Sequence, residues 1–195
     1  ATGLLRMLTI LMSCGLAAIV DNVSDPGWFP AVRALPLPVS LPAIFLLNDL
    51  LWYWLHRLLH SPLMWPLHAI HHASEDLTQM TNSRHHPLEG FFGGLWLSLP
   101  LALLGFAPEA LMLNGILVTA LGLIGHSTLP FPRWLEYYLG GPRVHRIHHA
   151  RDKALHDRNF AVLTIWDRIF GTFLLRDDSR ADTGVDDPRY ETGRP

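Results

Sequence analysis

Histidine is the residue type with the most evident chemistry in this 195-residue chain, which holds twelve of them, nearly all in tight groups. His56 and His60 are spaced i, i+4, so on a helix both rings leave one face about a turn apart. His68, His71 and His72 form an HxxHH group, and His145, His148 and His149 form a second, each putting two or three imidazoles on one side of a helical turn. Packing alone does not explain so many, because every buried ring needs both nitrogens satisfied. Neutral imidazole suits iron, zinc, copper and nickel, whereas thiolate or all-oxygen shells suit other metals. Eight or more nitrogens exceed one ion's inner shell. Two neighbouring ions would share them, leave positions open for dioxygen, and supply the electrons needed to attack an unactivated C–H bond.

Other residues are candidates for the same site. His126, in GHST, returns to it if the apolar run before it closes a hairpin, and His86, before Pro87, is a candidate lining residue. Asp49 lies seven residues before His56 on the same helical face, either accepting a ligand's second N–H or lining the bundle as an ordinary polar residue. Asn159, in HDRNF, either completes a metal shell or serves as a turn residue. A bis-histidine haem would leave the adjacent pairs His71-His72 and His148-His149 surplus. The single cysteine, Cys14, makes neither a disulfide nor an iron–sulfur ligand set. The rival readings are a metal-binding membrane protein and a zinc-dependent membrane hydrolase. The hydrolase is weakened because no HExxH places a glutamate base between ligands.

The elements that must position these rings read as membrane helices. An apolar fraction of 49%, only 16% charged residues and a mean hydropathy of +0.20 suggest a chain partly solvated by lipid. A net charge of −2 gives no basic signature for nucleic acid. Apolar runs predict helices over about 4–20, 43–60, 91–106 and 110–124, with a proline- and glycine-rich loop over 21–42. The last two runs form a hairpin, which brings His86 and His126 to one side of the membrane. Eleven of the fifteen Lys and Arg residues follow residue 126, so the positive-inside rule makes the histidine face cytoplasmic. The expected architecture is a single all-α domain over 1–195, an integral membrane bundle with a histidine-bearing cytosolic cap over about 61–90 and 126–175.

Taken in order, HRLLH, HAIHH, RHHPLE, GHST, HRIHH and NFAVLTIWDRIFGTF resemble the fatty acid hydroxylase / sterol desaturase superfamily over roughly residues 45–175. The resemblance implies a multi-pass enzyme of the bacterial inner membrane or endoplasmic reticulum, with two iron ions and O2 as co-substrate, that hydroxylates or desaturates a lipid. It implies His56, His60, His68, His71, His72, His145, His148 and His149 as core ligands and His126 as a further one. Asp49, His86 and Asn159 also fall on recurrent family positions. No G-x-G-x-x-G follows a strand, so electrons are expected from an external donor, an electron-transfer protein or reductase.

Overall fold

A computed structural model of the chain describes residues 11, 15, 19, 29–176, 181–187 and 189–190. The helix expected over 4–20 lies outside them save for Leu11, Gly15 and Ile19, as does residues 21–28 of the proline-rich stretch. The described residues are all-helical: α1 (Phe29–Arg33), α2 (Leu37–Leu59), α3 (Trp65–His72), α4 (Pro87–Leu103), α5 (Pro108–Gly125), α6 (Arg133–Glu136), α7 (Pro142–His148) and α8 (Thr164–Ile169), with 3-10 turns at Thr81–Ser83 and Lys153–Leu155. Leu139 with Leu163, and Ala150 with Thr183, make isolated antiparallel bridges.

The loop expected over 21–42 is corrected from residue 29 onward, because α1 forms there and α2 starts at Leu37, six residues before Ala43. The prolines explain how. Pro38 sits in the first turn of α2, where a missing N–H removes no intrahelical bond, and Pro42 lies close enough to the start that little of the ladder is lost. Helices α4 and α5 likewise begin at Pro87 and Pro108 and carry Glu89 and Glu109 in their first turns, which suits the positive end of the helix dipole. Gly105, at φ 83°, makes the left-handed turn between them.

The described chain divides into two compact units, 1–52 with 87–120 and 53–86 with 121–195. The first has an apolar core of Ile44, Leu101, Ala102, Phe106, Ala110 and Leu111, and the indole Nε1 of Trp96 donates to the Leu51 carbonyl at 3.0 Å. Helices α2 and α5 are long and apolar enough to cross a membrane, whereas α4, at 17 residues, is shorter. Only 28% and 22% of the apolar windows of α2 and α5 are buried, too little for the core helices of a water-soluble protein. Leu46, Phe91, Phe92, Ile116 and other large apolar side chains stay exposed. The architecture is that of a helical membrane protein.

The second unit combines small apolar clusters with many buried polar groups. Buried Tyr53 stacks on Phe170 with centroids 5.0 Å apart, meets Phe160 edge-on, and shares a 3.1 Å hydrogen bond with Thr172. The buried carboxylate of Asp167 accepts from the Phe160 N–H (2.8 Å), the Ala161 N–H (3.0 Å) and the Thr172 hydroxyl (2.6 Å). That makes it a bolt between α8 and the segment leading into it. Asn159 adopts φ 57°, which asparagine tolerates better than most residues, and its amide donates to the carbonyls of Val144 and Leu174 while its oxygen accepts from the Leu174 N–H. At the entry to α7, buried Glu136 accepts from the Arg143 guanidinium at 2.5 Å and from its backbone N–H at 3.1 Å.

Gly141 caps α7 beside that ion pair, and a Cβ there would stand 2.5 Å from Glu136 Cγ and 2.6 Å from Phe131 Cδ1. We predict that Gly141→Ala destabilises the protein by about 1–3 kcal/mol, the usual cost of overpacking. A lower melting temperature in detergent is the expected result; an unchanged one would mean that Glu136 and Phe131 move aside freely.

Candidate metal centre

Two short helices and the ends of two long ones carry the rings, with His126 directly after α5. Helices α3 and α7 both start with proline in the first turn and end in their HxxHH groups, with His149 as the C-cap of α7. His56 lies in the last turn of α2 and His60 just beyond it. The nine histidines expected as ligands are brought together as two groups. Within each, one nitrogen per ring lies within 4.8 Å of all the others. The first contains His56, His60, His68, His72 and His148; the second contains His71, His126, His145 and His149. The groups adjoin, since the rings of His72 and His149 stack with centroids 4.2 Å apart. Each HxxHH is therefore split rather than kept on one side. The i, i+4 pair His68/His72 serves the first group and His71 the second, while His145/His149 serves the second and His148 the first.

The spacing within the groups suits a shared ion. In the first, Nε2 of His56 lies 3.0 Å from that of His68, and the His72 nitrogen lies 3.2 Å from those of His60 and His68. In the second, Nε2 of His126 is 3.3 Å from His71 and 2.8 Å from His145, and His149 is 3.1 Å from His145. Two nitrogens each about 2.1 Å from one ion stand about 3.0 Å apart at a right angle and about 3.4 Å at the tetrahedral angle.

The outer nitrogens fix the tautomers. Nδ1 of His56 donates to the Phe160 carbonyl (2.7 Å), that of His148 to the Arg158 carbonyl (2.7 Å), that of His71 to the Thr81 carbonyl (3.2 Å) and that of His126 to the Gly122 carbonyl (2.8 Å). A carbonyl only accepts, so in these neutral rings the proton is on Nδ1 and Nε2 is a bare lone pair. His71 and His126 thus face each other with no proton between them. Nε2 of His148 and Nδ1 of His149 are buried without a hydrogen-bond partner. Converging, unprotonated nitrogens in a buried site are what a cation satisfies, and the donor set fits a pair of transition-metal ions.

Burial also keeps the rings neutral. It pushes His71, His72, His145, His148 and His149 well below the ordinary imidazole value, with neighbouring histidines adding to the effect. His60 falls to about 4, because burial outweighs the opposing pull of Asp157, whose Oδ1 lies 3.4 Å from its Nδ1. The same contact holds the Asp157 carboxyl below its usual range.

Three candidates remain, Asn159, His86 and Asp49. Asn159 is buried, and its side-chain amide bonds to the backbone of Val144 and Leu174, so it braces the turn. His86 is half-buried and also outside both groups. Asp49 is buried in the part of α2 that belongs to the first unit. Sequence reasoning passed over His85, which stacks on His71 at 4.6 Å, and Asp157 beside His60. The adjacent His85-His86 and the acid in HDRN were the available signals, but a surface loop explains both equally well. The anchoring carbonyls carry no side-chain signal at all.

Residues 41–172 match the family model for fatty acid hydroxylase. The chain belongs to the fatty acid hydroxylase family. It is 38% identical to alkylglycerol monooxygenase from Homo sapiens over 72% of this chain and 33% of that protein. It is 32% identical to an ornithine lipid hydroxylase from Rhizobium tropici over 62% and 38%, and 27% identical to lathosterol oxidase from Mus musculus over 85% and 54%. The chain thus spans about a third to a half of the length of these curated relatives. No solved structure matches it. The matched span of this family member contains all nine grouped histidines.

The depressed histidines predict how the metal-free protein responds to acid. In the unfolded chain these rings protonate near 6.5, and in the folded chain only well below it. Between the two the unfolded state binds more protons, so stability is full above about 6.5 and is lost as the pH falls. For His60 the drop to about 4 is worth on the order of 3 kcal/mol across that window. Thermal melts of the metal-free protein should therefore show a large fall in Tm between pH 7.5 and 5; a flat profile would mean that the rings are accessible to water.

Proposed function

We propose that this chain is an O2-dependent, non-haem di-iron oxidoreductase that hydroxylates or desaturates a lipid C–H bond. The observation that carries the reading is the convergence of carbonyl-locked, unprotonated Nε2 atoms into two adjoining groups. Family membership supports iron as the metal. A water-soluble substrate would need no apolar helices such as α2 and α5 in the same chain.

In this reading His56, His60, His68, His72 and His148 hold one iron, and His71, His126, His145 and His149 hold the other. What the bound pair supplies is activation of O2 for attack on an unactivated C–H bond. The chain's own part is positional. The carbonyls of Phe160, Arg158, Thr81 and Gly122 keep four rings in the ligating tautomer, and burial keeps the imidazoles uncharged at neutral pH. Hydroxylation consumes O2, two electrons and two protons and yields an alcohol and water; desaturation with the same inputs yields an alkene and two waters. The electrons come from an external electron-transfer protein or reductase. The polypeptide is read as one domain, multi-pass in the bacterial inner membrane or endoplasmic reticulum, with the histidine cap on the cytoplasmic side. The lipid enters from the bilayer.

Anaerobic purification should give two irons per chain, with O2 uptake stimulated by at least one lipid among alkylglycerols, ornithine lipids and lathosterol, the compounds named for its relatives. Bound zinc without O2 uptake would favour a hydrolase instead. His149→Ala should abolish turnover, with a loss of at least about 100-fold, while the protein still inserts in the membrane. Failure to insert would assign His149 a role in folding.

A further inference from the structure

Three residues within the four-residue run 157–160 supply the outer partners of three first-group histidines. The Arg158 carbonyl receives His148, the Phe160 carbonyl receives His56, and just before them stands Asp157, whose Oδ1 lies 3.4 Å from Nδ1 of His60. Two anchors are neutral backbone oxygens and the third is a carboxylate.

Asp157 is held in an uncommon conformation there. Its backbone has φ 58°, a conformation that L residues rarely adopt, and its side chain is 73% exposed while that of His60 is 8% exposed. An exposed aspartate contributes nothing to a core that would justify such a backbone, and strained positions of this kind persist where surrounding structure enforces them. The enforcement is visible on its C-terminal side. Asn159, also at φ 57°, is tied to Val144 and Leu174, and the Asp167 carboxylate grips the Phe160 and Ala161 N–H groups. The Asp157 carboxylate borders a cavity of about 130 Å³ lined also by His60, His72, His148 and His156. It reaches the first group from the solvent side.

Resting on the di-iron reading above, we propose that Asp157 is a positioning residue that takes the Nδ1–H of His60, presents its Nε2 to the first-group metal, and so strengthens the hold on that ion. The hydrogen bonds from His71 and His126 end on the neutral carbonyls of Thr81 and Gly122. A carboxylate behind a ligating imidazole makes the ring a stronger donor, and removing such a partner commonly weakens metal binding by about 10–100-fold.

The test follows metal release rather than turnover. The full chain in nanodiscs is loaded anaerobically with Fe(II), transferred into excess chelator, and the chelated iron is followed with time. In Asp157→Ala and Asp157→Gly, the second of which relieves the backbone, the equivalent that His60→Ala also loosens should leave about 10–100-fold faster, with the other unchanged. Asp157→Glu should recover part of the difference. In a His60→Ala background, Asp157→Ala should add nothing. Release of both equivalents at the wild-type rate would overturn the proposal. So would equal acceleration of both with a lowered Tm, which would mark Asp157 as a fold-maintaining residue only. A wild-type chain that cannot hold two metals would overturn the di-iron reading and this proposal with it, and that result is distinct from the other two.

Discussion

A bare nitrogen lone pair inside a protein can be relieved by a proton or by a cation, and the second unit is built so that protons are directed outward. Four rings have their one proton committed to a backbone carbonyl, and burial makes a second proton costly on those lying outside the membrane-spanning helices. Everything around the site serves this arrangement. Asp167 and Asn159 secure the segment that offers two of the carbonyls, Glu136 and Arg143 secure the entry to α7, and proline-led α3 and α7 are short enough to end in their histidines. Without a cation, the same convergence of lone pairs is a source of repulsion within the fold.

Neighbouring residues on a helix point about 100° apart, and the two HxxHH groups exploit this. His71 and His72 diverge to different groups, as do His148 and His149, while the i, i+4 pairs remain together. Helices α3 and α7 do so in opposite senses, one giving its pair to the first group and the other to the second. Each helix therefore reaches both positions, and the stack of His72 on His149 lies where the two meet. Movement of either helix would disturb both groups together.

Much of this was legible in the sequence. Spacing singled out eight of the nine grouped histidines and the expected hairpin added His126, while hydropathy located α2, α4 and α5, although proline was read as a breaker at residues 38 and 42 where it instead sits at a helix start. The division of each HxxHH was not legible, because ring direction depends on how α3 and α7 face one another and periodicity within one helix carries no such information. Asn159 was read as either a shell-completing or a turn residue, and the structure shows its side chain bonded to the backbone on both sides of the turn. Asp157 was overlooked because an exposed acid in a loop is the commonest of surface residues, and only its left-handed backbone and its distance from His60 distinguish it.

The use of main-chain carbonyls as anchors has an evolutionary side. Any amino acid supplies a carbonyl, so the residues at 81, 122, 158 and 160 can change identity without removing the oxygen on which a ring depends. Drift at these positions leaves the inward-facing lone pairs intact provided the path of the chain survives. Selection on the site then acts through whatever preserves that path, such as the Asp167 carboxylate, and through bulk at the anchors themselves, where Phe160 also packs against Tyr53. Such a site can accumulate substitutions at its supporting positions while its histidines stay fixed.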